Sequence, residues 1–305
     1  MSFSELAGTM LVFVVLIFVG WAFAKKGMAG PEFKTTASKL VANIFITAFI
    51  LKSALSIDLS QNVGNLGNIM LVLTTTCVIC VALSAAITAI PGLKVQNKAV
   101  FELVSAYPNM FISIPILEQL AGPLAAFYCS LACIPFNIFL FSHGVMRLSK
   151  NSGQGKFNLK NVLSMPVIAA LLSLLIFIIK PTVPFGITKL INTAAGACVP
   201  VSMIVIGATL GSVSVADSFK KPEFYISSFI RLVAAPLIVW FFASLLTDNN
   251  LLICSSVIVA ASPCALLVPP MSIQYGHDGS YASQGLLQST VFSMLTIPVF
   301  VYFLT

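Results

Sequence analysis

Two stretches of the sequence decide the fold: Ser105-Ala-Tyr-Pro-Asn-Met-Phe-Ile-Ser-Ile-Pro115 and Ala260-Ala-Ser-Pro-Cys-Ala-Leu-Leu-Val-Pro-Pro270. Aligned without gaps, they share identities in the same order, which are Ala106 with Ala261, Pro108 with Pro263 and Pro115 with Pro270. Two further pairs keep this order along the chain, namely Ser38-Lys-Leu with Thr188-Lys-Leu and Ile134-Pro-Phe-Asn with Ile297-Pro-Val-Phe. Ordered matches of this kind predict an internal repeat.

The composition is that of a membrane protein. Of the 305 residues, 58% are apolar and 8% are charged, and the mean hydropathy is +1.03, so polar residues are too few to cover a water-soluble surface. The chain contains ten apolar runs of the length that a spanning helix needs, at about 6–24, 36–56, 67–90, 97–119, 122–147, 162–179, 186–211, 223–246, 250–273 and 283–304. Their apolar residues do not alternate as barrel strands do. We therefore predict an all-α membrane protein with about ten transmembrane helices.

The two proline stretches fall in the fourth and the ninth of these runs, so each copy of the repeat contains five spans. An odd number of spans requires the second copy to enter the membrane from the opposite face. The sequence thus predicts two inverted five-helix repeats, residues 1–148 and 162–305, joined by a polar linker at 149–161.

The basic residues predict the orientation. If the N-terminus lies outside, twelve of the lysines and arginines fall on the inner side and three fall on the outer side, at Lys52, Lys180 and Lys189. The positive-inside rule then places both termini outside the cytoplasm and the linker within it. This bias accounts for the net charge of +7, which therefore does not indicate nucleic-acid binding.

Each of the two proline stretches predicts an interrupted helix. Proline lacks a backbone donor and clashes with the preceding turn, so paired prolines at 108 and 115 and at 263 and 270 break the helical hydrogen bonding. A simple kink is the alternative for one proline. In corresponding positions of two inverted repeats, however, crossed and broken helices indicate a transporter's substrate site, because half-helix N-termini favour anions.

Polar side chains beside the breaks are the candidate substrate-binding residues. Together with the prolines themselves they are Tyr107, Pro108, Asn109, Ser113, Ser262, Pro263 and Cys264. Asn109 is the strongest candidate, because a buried amide can both donate to a carboxylate and accept from the ligand. The alternative is that Asn109 only caps the broken helix.

Charged residues inside predicted spans are candidates for proton or anion coupling. Glu102 precedes Pro108 on the inner half of its span, and Glu118 lies near the outer end, where it can pair with Lys52. Either acid can instead be a solvated group at the interface. Arg231 can attract an anion or extend to the inner headgroups. We place two histidines and Asp278 at the inner boundary, the histidines being His143 and His277.

At the proline stretches the sequence resembles the auxin efflux carrier family, which includes plant carriers and bacterial permeases for malate or malonate. The resemblance rests on Tyr107-Pro-Asn-Met-Phe-Ile-Ser-Ile-Pro-Ile116, on Ala261-Ser-Pro-Cys-Ala-Leu-Leu-Val-Pro-Pro270 with the following Gln274-Tyr-Gly, and on Ile297-Pro298. The resemblance extends over essentially the whole chain, because the number and the order of the predicted spans agree with those of the family. Two positions depart from the family pattern: Ser113 replaces a glycine and Cys264 replaces a polar amide, so the site is less polar.

The resemblance implies a secondary transporter with its substrate at the crossing of helices four and nine. Helices one, two, six and seven would form a scaffold, the others would move in an elevator-like manner, and the protein would be a dimer. The long hydrophilic loop of the plant carriers is missing, which favours a bacterial permease of the inner, plasma membrane. The expected substrate is a small organic anion, a mono- or dicarboxylate, with no cofactor.

Three other functions explain fewer features of the sequence than an organic-anion permease does. A sodium-coupled symporter or a cation/proton antiporter of similar crossed-helix fold stays open, although no carboxylate lies within five residues of Pro108 or Pro263. An intramembrane enzyme would need a catalytic pair inside the spans, and the aspartates lie at span ends. Cys77 and Cys80 are spaced for one face of a helix, but no second ligand pair accompanies them, so we predict no metal site.

Overall fold

The computed structural model describes residues 3–56, 65–149, 165–179, 181–211 and 214–304. Over these ranges the chain forms helices and no strand of a sheet. This agrees with the predicted all-α class. Almost all of the predicted linker at 149–161 lies outside the described residues.

We number the helices α1 to α12 along the chain. They are α1 Phe3–Lys25, α2 Glu32–Leu55, α3 Leu66–Thr88, α4 Lys98–Ala106, α5 Met110–Ser149, α6 Met165–Ile179, α7 Phe185–Leu210, α8 Val215–Phe219, α9 Pro222–Leu246, α10 Asn250–Ala260, α11 Val268–Gln274 and α12 Gly279–Leu304. Among the described residues, six helices are long and apolar enough to cross a membrane, namely α2, α3, α5, α7, α9 and α12. Shorter apolar helices are present in α1, α6 and α10. The chain is therefore built as a multi-pass helical membrane protein, while ten crossings and an inverted repeat remain predictions.

Four of the long helices contain local departures from α-helical geometry. Gly122 has φ of 82° and ψ of −174° and divides α5 into two helical segments at the predicted boundary between the fourth and fifth spans. Only glycine adopts this conformation without strain. π-helical turns occupy Val41–Ile46 in α2, Leu140–Gly144 in α5 and Ile230–Ala234 in α9, and α7 is irregular at Ala197. Nothing in the apolar pattern predicts the π-helical turns.

One of two compact units contains α1, α2, α6 and α7 together with Met110–Ile134 of α5. Within it α1 and α7 pack with backbones almost in contact, since a Cβ built on Gly20 would lie 2.0 Å from the Ile204 carbonyl oxygen. A Cβ on Gly207 would lie 1.9 Å from the Ile17 carbonyl oxygen. Small residues permit such close approach between membrane helices.

The first half of α5 has its own contacts in this unit. Lys52 Nζ and Glu118 Oε1 form the predicted ion pair at 2.8 Å. The rings of Phe127 and Phe177 lie 5.5 Å apart. The resemblance assigned the whole of the fourth and fifth spans to the moving group, whereas these contacts join residues 110–134 to α2 and α6, two of the helices that it assigned to the scaffold.

The other unit contains α3 from Leu71, α4, the second half of α5 from Pro135, and α8 to α12. Its core includes a close packing of α4, α9 and α12 at Gly285. A Cβ there would lie 2.7 Å from Val104 Cγ1 and 2.8 Å from Phe224 Cε1. This unit contains both helix interruptions that the prolines predict.

Candidate functional site at the proline bridge

Both proline stretches interrupt their helices. Between α4 and α5 the break covers residues 107–109, and between α10 and α11 it covers residues 261–267. Tyr107 is extended, with φ of −101° and ψ of 122°, because a following proline disfavours the helical conformation. Both breaks are shorter than predicted. Pro115 lies inside α5, and Pro269 and Pro270 lie in the first turn of α11, where a proline needs no donor.

The two breaks pair with each other through their backbones. Pro108 lies opposite Cys264 in an antiparallel bridge, with Asn109 N–H donating to the Pro263 oxygen at 2.9 Å and Ala265 N–H donating to the Tyr107 oxygen at 2.8 Å. We call residues 107–109 and 263–265 the proline bridge. Such pairing is needed because unpaired peptide groups inside a membrane protein cost several kcal/mol.

This pairing corrects one step of the sequence argument. The N–H groups beside the prolines were expected to receive a substrate carboxylate. Instead, Asn109 and Ala265 donate across the bridge, and Cys264 N–H donates to Ser289 Oγ at 3.1 Å. Recognition of an anion at the bridge must therefore use side chains more than these three amides.

Most of the residues that were predicted to bind substrate belong to the proline bridge. Tyr107, Pro108, Asn109, Ser262, Pro263 and Cys264 are all buried in the unit that contains the bridge. The Ser262 hydroxyl donates to the Ile258 oxygen in the last turn of α10 at 2.8 Å. Ser113 is also fully buried, but it belongs to the α5 segment of the first unit.

Arg231 contacts both proline stretches at once. Its Nε donates to the Ser262 oxygen at 2.6 Å and its Nη1 donates to the Ser105 oxygen at 2.9 Å. The residue is 1% exposed, so it does not extend to the headgroups. No carboxylate within the described ranges forms an ion pair with it, and Nη2 has no hydrogen-bond partner there. Among the residues that the structure describes, Arg231 is thus a buried cation without a compensating carboxylate.

Glu102 is buried rather than solvated at the interface. It is 1% exposed, and its Oε1 lies 3.0 Å from His143 Nε2. Its Oε2 accepts from Thr88 Oγ1 at 2.8 Å and from Arg147. The second candidate acid, Glu118, is paired with Lys52 as described above.

His143 was placed at the inner boundary, and this interpretation was incomplete. Its side chain is 20% exposed, but Nδ1 lies 3.1 Å from the Tyr107 hydroxyl, which also donates to the Phe139 oxygen at 3.0 Å. His143 therefore links Glu102 to the proline bridge. Its position inside the fifth predicted span, four residues before Arg147, was the available signal.

Gln288 is a second residue that was not among the predicted site residues. Gln288 is 0% exposed, and neither atom of its amide has a hydrogen-bond partner within the described part of the chain. It directly precedes Ser289, which holds the Cys264 N–H. A polar amide in the middle of an apolar span was the signal that could have identified it.

Two comparisons agree with this architecture. The model of the family described as membrane transport protein matches residues 152–301, and it confirms the resemblance to the auxin efflux carriers. An uncharacterized transporter of Methanothermobacter thermautotrophicus is 26% identical over 309 residues, which cover 98% of this chain and 98% of that protein.

Proposed function

We propose that this chain, whose residues 152–301 match the membrane transport protein family and which resembles the auxin efflux carriers, is a permease, a secondary transporter of small organic anions. The substrate class is a mono- or dicarboxylate, and the membrane is the plasma membrane. In this proposal the chain forms ten spans in two inverted repeats, with both termini outside the cytoplasm, and works as a homodimer.

The observation that carries the choice of an anion is Arg231. A buried charge is costly unless it is paired, and among the described residues this guanidinium donates only to the two carbonyl oxygens of Ser105 and Ser262. A carboxylate would supply the missing negative charge and could accept from the remaining Nη2. The same position would repel a substrate cation.

The proposed binding site is the proline bridge with the side chains that surround it. Asn109 and Tyr107 come from the first break, and Ser262 and Cys264 come from the second. Gln288 adds a buried amide that can donate to one carboxylate oxygen and accept from a substrate hydroxyl. A charged group with a few surrounding polar side chains is the usual composition of a site for a small polar ligand.

Alternating access by an elevator-like motion is the transport mechanism that we propose. Its support is the division of the chain into two compact units, one of which contains all of α1, α2, α6 and α7 while the other contains both helix breaks. The coupling of an interrupted-helix site to a mobile unit is a recurring design of secondary transporters.

The test is a binding screen of the purified full-length protein. Scintillation-proximity binding of radiolabelled malonate and malate, competed with unlabelled mono- and dicarboxylates, is measured with and without sodium. Saturable binding of an anion that no organic cation displaces supports the proposal. Binding that requires sodium would favour a sodium-coupled symporter of similar fold. Displacement by cations and not by carboxylates would overturn the choice of substrate class.

A further inference from the structure

The unit that contains the proline bridge also contains a chain of polar side chains that leads from the protein surface to the bridge. Arg147 and His143 contact Glu102, and His143 contacts Tyr107, whose backbone oxygen belongs to the bridge. The proposed binding of an anion makes no use of His143, Glu102 or Arg147.

We propose that His143 is a proton-binding site that couples proton uptake to binding of the anion at the bridge. This inference rests on the proposed transport function, and it adds the coupling ion. A histidine is the side chain whose charge ordinarily changes in the physiological range. Its side chain is 20% exposed, whereas Glu102 and Tyr107 are each 1% exposed, so His143 is the least buried of the three.

The contacts of His143 accommodate both of its charge states. Nε2 lies 3.0 Å from Glu102 Oε1, and Oε1 has no partner in hydrogen-bond geometry among the described residues. We place the proton of neutral His143 on Nε2 because a carboxylate oxygen repels an unprotonated ring nitrogen. In neutral His143 the Nδ1 atom is then an acceptor, and the Tyr107 hydroxyl at 3.1 Å donates to it. In the imidazolium both nitrogens carry protons, so Nδ1 donates to the Tyr107 oxygen instead.

The Tyr107 hydroxyl can stop donating to His143 Nδ1 because a second acceptor for its proton lies nearby. The hydroxyl has one proton, and the Phe139 oxygen lies 3.0 Å away. Phe139 immediately precedes the π-helical turn Leu140–Gly144, and such turns are frequent at functional sites. When His143 is protonated, the Tyr107 hydroxyl therefore donates to the Phe139 oxygen instead of the imidazole, and its oxygen accepts from Nδ1. No hydrogen bond is lost.

The charges around His143 fit the binding of one proton. Among the described residues, the titratable and charged groups that contact His143 or Glu102 are Glu102 from α4, Tyr107 from the first break and Arg147 from α5. Glu102 and Arg147 compensate each other, so proton uptake changes the cluster from neutral to positive. A positive charge one side chain from the bridge favours a bound anion, and by linkage the anion favours the proton.

Histidine nitrogen NMR tests the proton directly, since the chain has two histidines. The full-length His277→Gln variant, labelled with nitrogen-15 histidine in nanodiscs, reports His143 alone. At a fixed pH between about 5 and 8, where histidine ordinarily titrates, saturating malonate should increase the doubly protonated signal. In Tyr107→Phe, which lacks the linking hydroxyl, malonate should leave that signal unchanged. A His143 signal that malonate does not alter in the His277→Gln protein would overturn the proposal.

Transport in proteoliposomes provides the second readout. An inward proton gradient should accelerate malonate uptake by the parent and by His277→Gln. His143→Gln keeps a donor toward Glu102 and an acceptor toward Tyr107, so it preserves the neutral contacts but cannot take up a proton. Its uptake should no longer respond to the gradient. An unchanged response in His143→Gln would also reject the proposal. Saturable binding with no uptake by the parent would instead reject the transport function, leaving the NMR result to judge the proton site.

Discussion

Asn109 N–H donates to the Pro263 carbonyl oxygen at 2.9 Å, which joins the first residue after one proline to the other proline. This bond requires that α4 stop before Pro108, because a continuous helix would use the Asn109 N–H internally. The two proline breaks are therefore one paired structure and not two independent kinks.

Replacement of Pro108 should destabilise the protein. Pro108→Ala adds a buried N–H without an assigned partner and lets Tyr107 return to the helical region, so we expect a loss of about 1–3 kcal/mol. Pro115→Ala is the matched control. Pro115 lies inside α5, where alanine restores a helical donor, so this variant should be neutral or more stable. Thermal unfolding of the purified proteins measures both. Equal losses in the two variants would show that the break at Pro108 has no special role.

The helix breaks were predictable from the sequence because proline acts locally. The Lys52–Glu118 pair was also predictable, since both residues lie near the same end of their predicted spans. Pairing of the two breaks was not, because it depends on tertiary contacts between segments far apart in the chain. The N–H groups freed by the prolines were consequently expected to favour an anion, whereas three of them bond within the protein.

The roles of Arg231 and His143 were harder to predict for a related reason. Each lies in a π-helical turn, which changes the face of the helix that its side chain occupies. The apolar pattern of a membrane helix does not reveal such a turn, because residues on every face are apolar. A side chain near a span end was therefore assigned to the interface when it points into the protein.

Close packing of α1 against α7 gives a prediction about stability. Gly20→Ala and Gly207→Ala place a Cβ about 2 Å from a backbone oxygen of the other helix, so the helices must separate. We expect a loss at or above the usual overpacking cost of about 1–3 kcal/mol. Gly186→Ala in the same α7 meets no atom within 4 Å, and it should be neutral or slightly stabilising. Unfolding in a denaturant series compares the three. Stable Gly20→Ala protein would contradict the packing described here.

The orientation of the chain is tested with single introduced cysteines, because all seven native cysteines are buried. Lys94 and Asp248 are exposed and lie in loops that the basic residues assign to opposite sides. In intact cells a membrane-impermeant maleimide should label Asp248→Cys, and it should label Lys94→Cys only after permeabilisation. The reverse pattern would invert the topology and place both termini in the cytoplasm.

Removal of the charge at Arg231 should weaken anion binding. Arg231→Gln loses a hydrogen bond from a charged donor, so malonate affinity should fall about tenfold to a hundredfold, equivalent to about 1.5–3 kcal/mol. Arg231→Lys keeps the charge and should lose less. Binding is measured by scintillation proximity, with melting temperature as the check on folding. If both variants fold and Arg231→Gln binds malonate like the parent, the anion does not contact this guanidinium.

Two roles were considered for Asn109, a ligand-binding amide and a cap of the helix N-terminus. Asn109 directly precedes α5, so experiments must distinguish the two. Asn109→Ala removes both and should weaken malonate binding by about 1–3 kcal/mol. Asn109→Asp separates them, because aspartate caps a helix as well as asparagine does but repels a carboxylate. We therefore expect Asn109→Asp to bind malonate more weakly than Asn109→Ala while unfolding at a temperature close to that of the parent.

The control for this pair is Asn192→Ala, which removes an exposed amide from α7 and should change neither property. Binding isotherms and melting curves of the three variants give the answer in one series. If Asn109→Asp bound malonate as tightly as the parent, the amide would serve only as a cap, and the anion would lie away from the first break. If instead Asn109→Asp lost both binding and stability, the loss of binding would follow from a damaged bridge, since Asn109 N–H is one of its two hydrogen bonds.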